Sequence, residues 1–269
     1  IDIAVDLGGY TASAKTDIFA MVTAPIQLSY IGFLGTMGAD YYDYLVSDLT
    51  IIPKKCQKYY SEKIIYLPNF QANDTKQTYS ISNFSRKDIG LPEKGFVFCC
   101  FNNTYKFTPS TFDSWGRILE SVPDSVLLLY ASNKAAEKNL IKEIVKRGID
   151  SERIIFGKHL PIEGYLGRYK VVDLFLDTSP YNAGTTSSDA MKMGLPVITC
   201  QGQSFSSRMG ASILKAINMP ELIANTQKEY ESMAIELAKN PKKLKKIVTQ
   251  MQRKLRCAQK IANMSHRWD

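Results

Sequence analysis

Three polar clusters stand where chemistry is easiest to place, each directly after an apolar run. The first is Asn102-Asn103-Thr104-Tyr105-Lys106, following residues 96–101. The second is Gly157-Lys158-His159. The third runs from Thr178 through Pro180, Tyr181, Asn182 and Gly184 to Thr185, Thr186 and Asp189, a small-residue loop leading into a helix start. First-turn amides of a helix lack internal partners, and that end of the dipole is positive. Gly184 permits close approach there, and the Thr185 and Thr186 hydroxyls add donors, so the loop reads as a phosphate seat. An ordinary helix capped by Thr or Ser, with Asp189 in its first turns, fits the same residues. Lys106 lies on the same edge of the expected sheet. A single ammonium there neutralises a diphosphate without a metal, or it is a surface lysine. Taken together, the two features point to a nucleoside-diphosphate ligand whose departure needs charge stabilisation. Neither GxGxxG nor GxxxxGK[ST] occurs, which disfavours a standard dinucleotide or P-loop site.

These clusters need a scaffold that brings strand ends together. Apolar strands are expected over residues 1–7, 26–32, 44–46, 61–67, 96–101, 125–131, 153–156, 171–177 and 196–200. Helices are expected over 14–20, 109–121, 135–147, 162–169, 185–193, 206–218, 227–239 and 241–262. Thr108 and Pro109 open one helix, and Gly148 and Gly194 close two others. Fully apolar strands alternating with helices indicate a parallel sheet covered on both faces, with ligands beyond the carboxyl ends of the strands. Residues 71–92 are polar and poorly periodic and read as a linker. No internal repeat or low-complexity tract is evident.

Composition narrows the class. The chain has 269 residues, 45% hydrophobic and 22% charged, enough for one large α/β domain or two smaller ones and unlike disordered or collagenous chains. No apolar run reaches the ~18–20 residues of a membrane span, and no signal peptide is recognisable. The chain opens at Ile1 inside an apolar stretch, so it reads as the later part of a longer protein. The five cysteines lack CxxC spacing and read as buried free thiols in a reducing, cytoplasmic compartment. With His159 and His266 the only histidines, a His-rich metal site or Ser-His-Asp triad uses His159 or is absent, and no metal is expected. Net charge is +8, and +7 of it falls between Thr226 and Asp269. Lys242, Lys243, Lys245, Lys246, Arg253, Lys254 and Arg256 interleave with Leu244, Ile247, Met251 and Leu255, an amphipathic helix with a basic outer face. That face is solvated or meets an acidic partner. No aromatic interleaving or nucleic-acid motif accompanies it, so nucleic acid is not expected.

Eight ordered segments carry a resemblance: Asp6-Leu7-Gly8-Gly9-Tyr10-Thr11, Ala24-Pro25-Ile26-Gln27, Gly32-Phe33-Leu34-Gly35-Thr36-Met37-Gly38-Ala39, Tyr60-Ser61-Glu62-Lys63, Phe101 to Lys106, Asp173 to Thr178, Pro180-Tyr181-Asn182 leading to Thr185-Thr186-Ser187-Ser188-Asp189, and Gly194-Leu195-Pro196-Val197. Over roughly residues 1–240 the chain resembles the catalytic region of O-GlcNAc transferases, glycosyltransferase family 41, in the bacterial form. The resemblance implies a GT-B architecture, an α/β fold with Rossmann-like doubly wound parallel sheets and an incomplete first lobe. Residues 1–85 would end that lobe and include a linker. Residues 86–225 would form the nucleotide-sugar-binding lobe, and 226–269 basic helices packing back on the lobes. It implies transfer of N-acetylglucosamine, or another hexose, from a UDP-sugar to protein Ser or Thr with inversion and without an essential metal or other cofactor. The partners are then a UDP-sugar and a protein or peptide acceptor. Relatives often carry tetratricopeptide repeats before this region.

By the same resemblance, Lys106 would contact the donor diphosphate and stabilise departing UDP, with Asn103 beside the phosphates. Gly184, Thr185 and Thr186 would form the diphosphate-binding helix start. Asp189 would hold the ribose or uridine side, Arg168 would lie near the uracil, and Thr36 would face the sugar. Five residues depart from the family. Gly184 stands where a His precedes Thr-Thr, Gly164-Tyr165 where Glu-His is usual, Leu34 in place of Pro, and Asp2 where animal enzymes have His. Each lost imidazole removes a donor worth ~1–3 kcal/mol. A catalytically impaired UDP-binding or interaction module of the same fold is therefore the alternative reading.

Overall fold

A computed structural model describes residues 1–70 and 79–265. The chain forms two parallel sheets. The first contains β1 (Ile3–Asp6), β2 (Ile26–Tyr30), β3 (Tyr44–Ser47) and β4 (Lys63–Tyr66) in that order, with the short helix α1 (Thr16–Ala20) between β1 and β2. The second contains β5 (Phe96–Cys100), β6 (Ser125–Tyr130), β7 (Ile154–Gly157), β8 (Leu174–Leu176), β9 (Val197–Cys200) and β10 (Ile223–Ala224). Its spatial order is β10-β9-β8-β5-β6-β7. The chain winds outward from β5 to β7, returns, and winds the other way from β8 to β10. That is the doubly wound order, with its switch point between β5 and β8.

Helices α2 (Pro109–Ser121), α3 (Lys134–Val145), α4 (Ile162–Gly167), α5 (Thr185–Lys192), α6 (Met209–Ala216), α7 (Gln227–Lys239) and α8 (Pro241–Ser265) connect or follow these strands. Their starts follow local chemistry. Thr108 accepts from the Thr111 amide at the head of α2, with Pro109 in the first position, where its missing N–H costs nothing. Asn133 accepts from the Ala136 amide at α3, and Thr226 from the Glu229 amide at α7. Gly148, at φ 77°, follows α3 in a left-handed conformation that glycine adopts without strain.

The expected elements are present, with differences that packing explains. Residues 1–7 read as a buried strand, yet Ile1 is 93% exposed and Ile3, Val5 and Leu7 are exposed as well. β1 is the edge of its sheet, and apolar sequence alone does not supply a covering layer. β10 is only two residues long and carries no sequence signal of its own. In the stretch read as a linker, residues 71–78 lie outside the described residues. The remainder is partly anchored: Arg86 pairs with Asp173 at 2.7 Å and donates to the Val171 and Gly95 carbonyls, while Leu91 is buried. Cys99, Cys100 and Cys200 are buried free thiols as expected, whereas Cys56 is half-buried and Cys257 exposed. α8 buries Ile247 and Met251 and exposes Lys242, Lys243, Lys245 and Lys246, and Gln250 donates to Glu221 at 2.7 Å.

One cluster of buried apolar side chains joins the sheets, running from Leu34, Leu45, Ile51 and Phe70 into the second core around Phe98, Trp115, Phe175 and Leu214. Polar links cross at the same place. Asp48 accepts from the amides of Thr50, Ile51 and Phe70 and from the Ser212 hydroxyl, the last at 2.5 Å. Arg208 donates to the Ile51 carbonyl at 2.7 Å. Phe33 of the first sheet's loop meets Phe205 edge to face at 5.3 Å.

Candidate active site

The switch point is built from two residues that end adjacent strands. β5 and β8 pair directly, with Phe98 opposite Leu174 and Cys99 opposite Phe175. Asn102 and Asp177 therefore emerge side by side. Both are buried, and the Asn102 amide donates to Asp177 Oδ1 at 3.3 Å and to Thr178 Oγ1 at 2.8 Å. Asp177 Oδ1 also accepts from the amides of Thr178 and Ala183, at 2.8 and 2.7 Å, and Oδ2 accepts from the Thr199 hydroxyl at 2.7 Å. Burial pushes this carboxyl up to about 6, against the pull of those donors and of Lys106. The carboxylate thus ties residues 177–183 into one shape. Gly210 is required beside it, because a Cβ there would stand 2.6 Å from Asp177 Oδ2.

Lys106 ends the 3-10 turn Thr104–Lys106. Its Nζ donates to the Asn182 carbonyl at 3.0 Å and lies 4.0 Å from the Tyr181 ring centroid. Burial lowers its pKa, and the Asp177 charge opposes that shift. Two residues past Asn182, Gly184 opens α5 with no side-chain cap. A Cβ at Gly184 would stand 2.8 Å from Met209 Cε. The Thr186 hydroxyl donates to Asn102 Oδ1, which joins the first turn of α5 to the end of β5. Thr185 is exposed. The expected residues Lys106, Gly184, Thr185 and Thr186 are therefore gathered on one strand-end surface.

Arg168 and Asp189 form a second group. Arg168 is 5% exposed, with Cζ 3.8 Å from the Phe101 ring centroid and 4.7 Å from that of Tyr165. Its Nε has no hydrogen-bond partner among the described residues. Burial lowers its pKa. Asp189 accepts from the Tyr165 hydroxyl at 3.2 Å. Burial raises its pKa, while Tyr165 and Lys192 oppose the rise.

Asn103 and Thr36 stand apart. The Asn103 side chain is exposed, and its carbonyl accepts from the Lys106 amide at 3.0 Å. Thr36 belongs to the first sheet's loops, where its hydroxyl donates to Glu62 at 2.7 Å and accepts from the Gly38 amide at 3.0 Å. His159 is exposed, and His266 lies outside the described residues. No group of three or more His, Cys, Asp or Glu among the described residues could hold a metal ion, and no described helix is long and apolar enough to cross a membrane. The sequence alone marks Asn102 only as a member of a polar cluster and Asp177 only as the end of an expected strand. A polar residue closing an apolar strand was the available signal for both.

Two parallel α/β sheets meeting beside a switch-point site define the GT-B class. The profile of glycosyl transferase family 41 matches residues 1–83 and 70–266, and the chain belongs to that family. It is 37% identical over 258 residues to a probable UDP-N-acetylglucosamine--peptide N-acetylglucosaminyltransferase SEC of Arabidopsis thaliana, covering 93% of this chain and 26% of that protein. It is 31% identical over 263 residues to the barley (Hordeum vulgare) protein named with the same activity and SPINDLY, covering 92% of this chain and 26% of that one. A mutant (K341M) O-GlcNAc transferase of Thermobaculum terrenum superposes with a TM-score of 0.84 at 29% identity, covering 96% of this chain and 49% of that one. The chain thus spans about a quarter of these curated relatives and half of the solved chain.

Proposed function

We propose that this chain supplies the donor-binding part of an enzyme that transfers N-acetylglucosamine from UDP-GlcNAc to Ser or Thr hydroxyls of proteins, with inversion. The carrying observation is the Lys106–Asn182 hydrogen bond of 3.0 Å, which sets an ammonium two residues before the uncapped start of α5. In this reading the acceptor oxygen bonds to the sugar C1 and its hydroxyl proton is released to solvent, while the C1–O bond to UDP breaks and its electron pair leaves on the β-phosphate. Lys106 and the first amides of α5, with the Thr185 and Thr186 hydroxyls, stabilise that charge where it develops. Asn103 lies at the rim beside the phosphates. Asp189 takes the ribose side, Arg168 the uracil side, and Thr36 the sugar side from the first lobe. The names of the relatives support the donor and the protein acceptor.

The reading divides the chain at about residues 85 and 225, as first-lobe end, donor lobe and basic C-terminal helices. It places the protein in the cytoplasm, which the buried thiols of Cys99, Cys100 and Cys200 support. One observation favours the impaired-module reading: Gly184 opens α5 without a side chain, so no imidazole reaches the diphosphate from that position. Incubating full-length protein with labelled UDP-GlcNAc and Ser/Thr peptides separates the two. Label in the peptide is the expected outcome. UDP binding without label transfer would establish the impaired module instead.

A further inference from the structure

Tyr165 touches both polar groups of the second cluster, and each through a different part of its side chain. Its hydroxyl reaches Asp189 Oδ2 at 3.2 Å and the Tyr169 hydroxyl at 2.7 Å. The Tyr169 hydroxyl in turn lies 3.3 Å from the Thr186 carbonyl. The Tyr165 ring packs 4.7 Å from Arg168 Cζ on one side and edge to face on Tyr169 at 5.4 Å. A run of two phenols therefore links α4 and the following turn to the first turns of α5.

Proton accounting orients this run. Two phenols carry two protons for three contacts, so one contact is always the weaker. With Asp189 ionised, the favoured order is Tyr169 donating to Tyr165 across the 2.7 Å contact, and Tyr165 donating to the carboxylate, because a charged acceptor makes the stronger bond. A phenylalanine at 165 would keep the ring contacts and lose both hydroxyl contacts, to the Asp189 carboxylate and to the Tyr169 hydroxyl.

We propose that Tyr165 is a positioning residue for the nucleoside half of the donor: its hydroxyl fixes the Asp189 carboxylate while its ring holds the Arg168 guanidinium. This rests on the UDP reading above. Asp189 faces the Tyr165 hydroxyl from α4 and, from its own helix, the Lys192 ammonium, which lies 6.0 Å from the Tyr79 ring centroid. Removing the hydroxyl leaves Lys192 to oppose the effect of burial alone. Asp189 then titrates at higher pH, and the free carboxylate samples more than one rotamer.

The test compares wild type, Tyr165→Phe and Tyr165→Leu in the full-length protein. The measurements are the Asp189 carboxyl titration by 13C NMR without ligand, UDP affinity by calorimetry at pH 5.5 and 8, and the melting temperature. Tyr165→Phe keeps the ring, so melting shifts little, the Asp189 midpoint rises, and UDP affinity falls roughly tenfold, more at pH 5.5 than at pH 8. Tyr165→Leu loses the Arg168 contact as well and binds more weakly than the Phe variant at both pH values. An unchanged Asp189 midpoint, or a Phe variant matching a UDP-binding wild type at both pH values, overturns the inference alone. A wild type that does not bind UDP overturns the donor reading, while the NMR titration still judges whether Tyr165 controls Asp189.

Discussion

The ammonium of Lys106 donates to the carbonyl oxygen of Asn182, 3.0 Å away, and lies 4.0 Å over the ring of the preceding residue, Tyr181. Lys106 follows β5 and Asn182 follows β8, so the bond closes the gap between the two strands at which the winding reverses. The geometry depends on Asp177, whose carboxylate accepts from Thr178 and Ala183 and so shapes the loop carrying the Asn182 carbonyl.

Asp177 gives that loop a pH signature. Its folded pKa of about 6 lies above the ~3.9 of an unfolded aspartate. Between these values the folded chain holds more protons than the unfolded one, so stability from this group is fully present below about pH 4 and is lost as pH rises through 6. Asp177→Asn cannot ionise. Urea unfolding at pH 4.5 and pH 7 is expected to show wild type losing more stability over that interval than the variant. Equal losses would contradict the assignment.

The second sheet's core is anchored on Trp115. It is fully buried, donates toward the Tyr230 hydroxyl at 3.3 Å and packs on Phe107 and Phe112 at 5.2 and 5.3 Å. Trp115→Ala leaves a cavity that rigid strands cannot fill, and the expected cost is about 3–5 kcal/mol by chemical denaturation. A loss below about 1 kcal/mol would mean the core collapses around the gap.

Two glycines separate rigid from yielding neighbours. A Cβ at Gly32 would stand 2.3 Å from the Leu7 carbonyl oxygen and 2.7 Å from that of Gly8, so backbone must move. At Gly184 the obstacle is the end of the Met209 side chain, which can turn away. Gly32→Ala is expected to lower the melting temperature by several degrees, and Gly184→Ala by little. A reversed ranking in thermal melts would sink this account of the two loops.

Much of the scaffold was legible because period and punctuation agree with packing. The apolar run 125–131 and the Thr108-Pro109 helix start carry their own local signals. Burial of β1 was not legible, since its apolar side chains lack a covering layer that no local pattern can announce. For the site, Lys106 and Thr185-Thr186 stood out by residue type and by their place after strands. The Asp177 hub and the Tyr165–Tyr169 pair did not, because each acts through contacts with residues distant in sequence, such as Thr199 and Asp189. Thr36 illustrates the same limit, for its hydroxyl is engaged by Glu62, 26 positions away.

The central claim is that Lys106 and the start of α5 receive one diphosphate. Calorimetric titration of UDP into wild type and Lys106→Ala, at fixed ionic strength, tests it most directly. The account predicts that the variant stays folded and loses at least tenfold in affinity, as expected when a buried cation facing a diphosphate is removed. Identical affinities in the two proteins would take Lys106 out of the site and contradict the account.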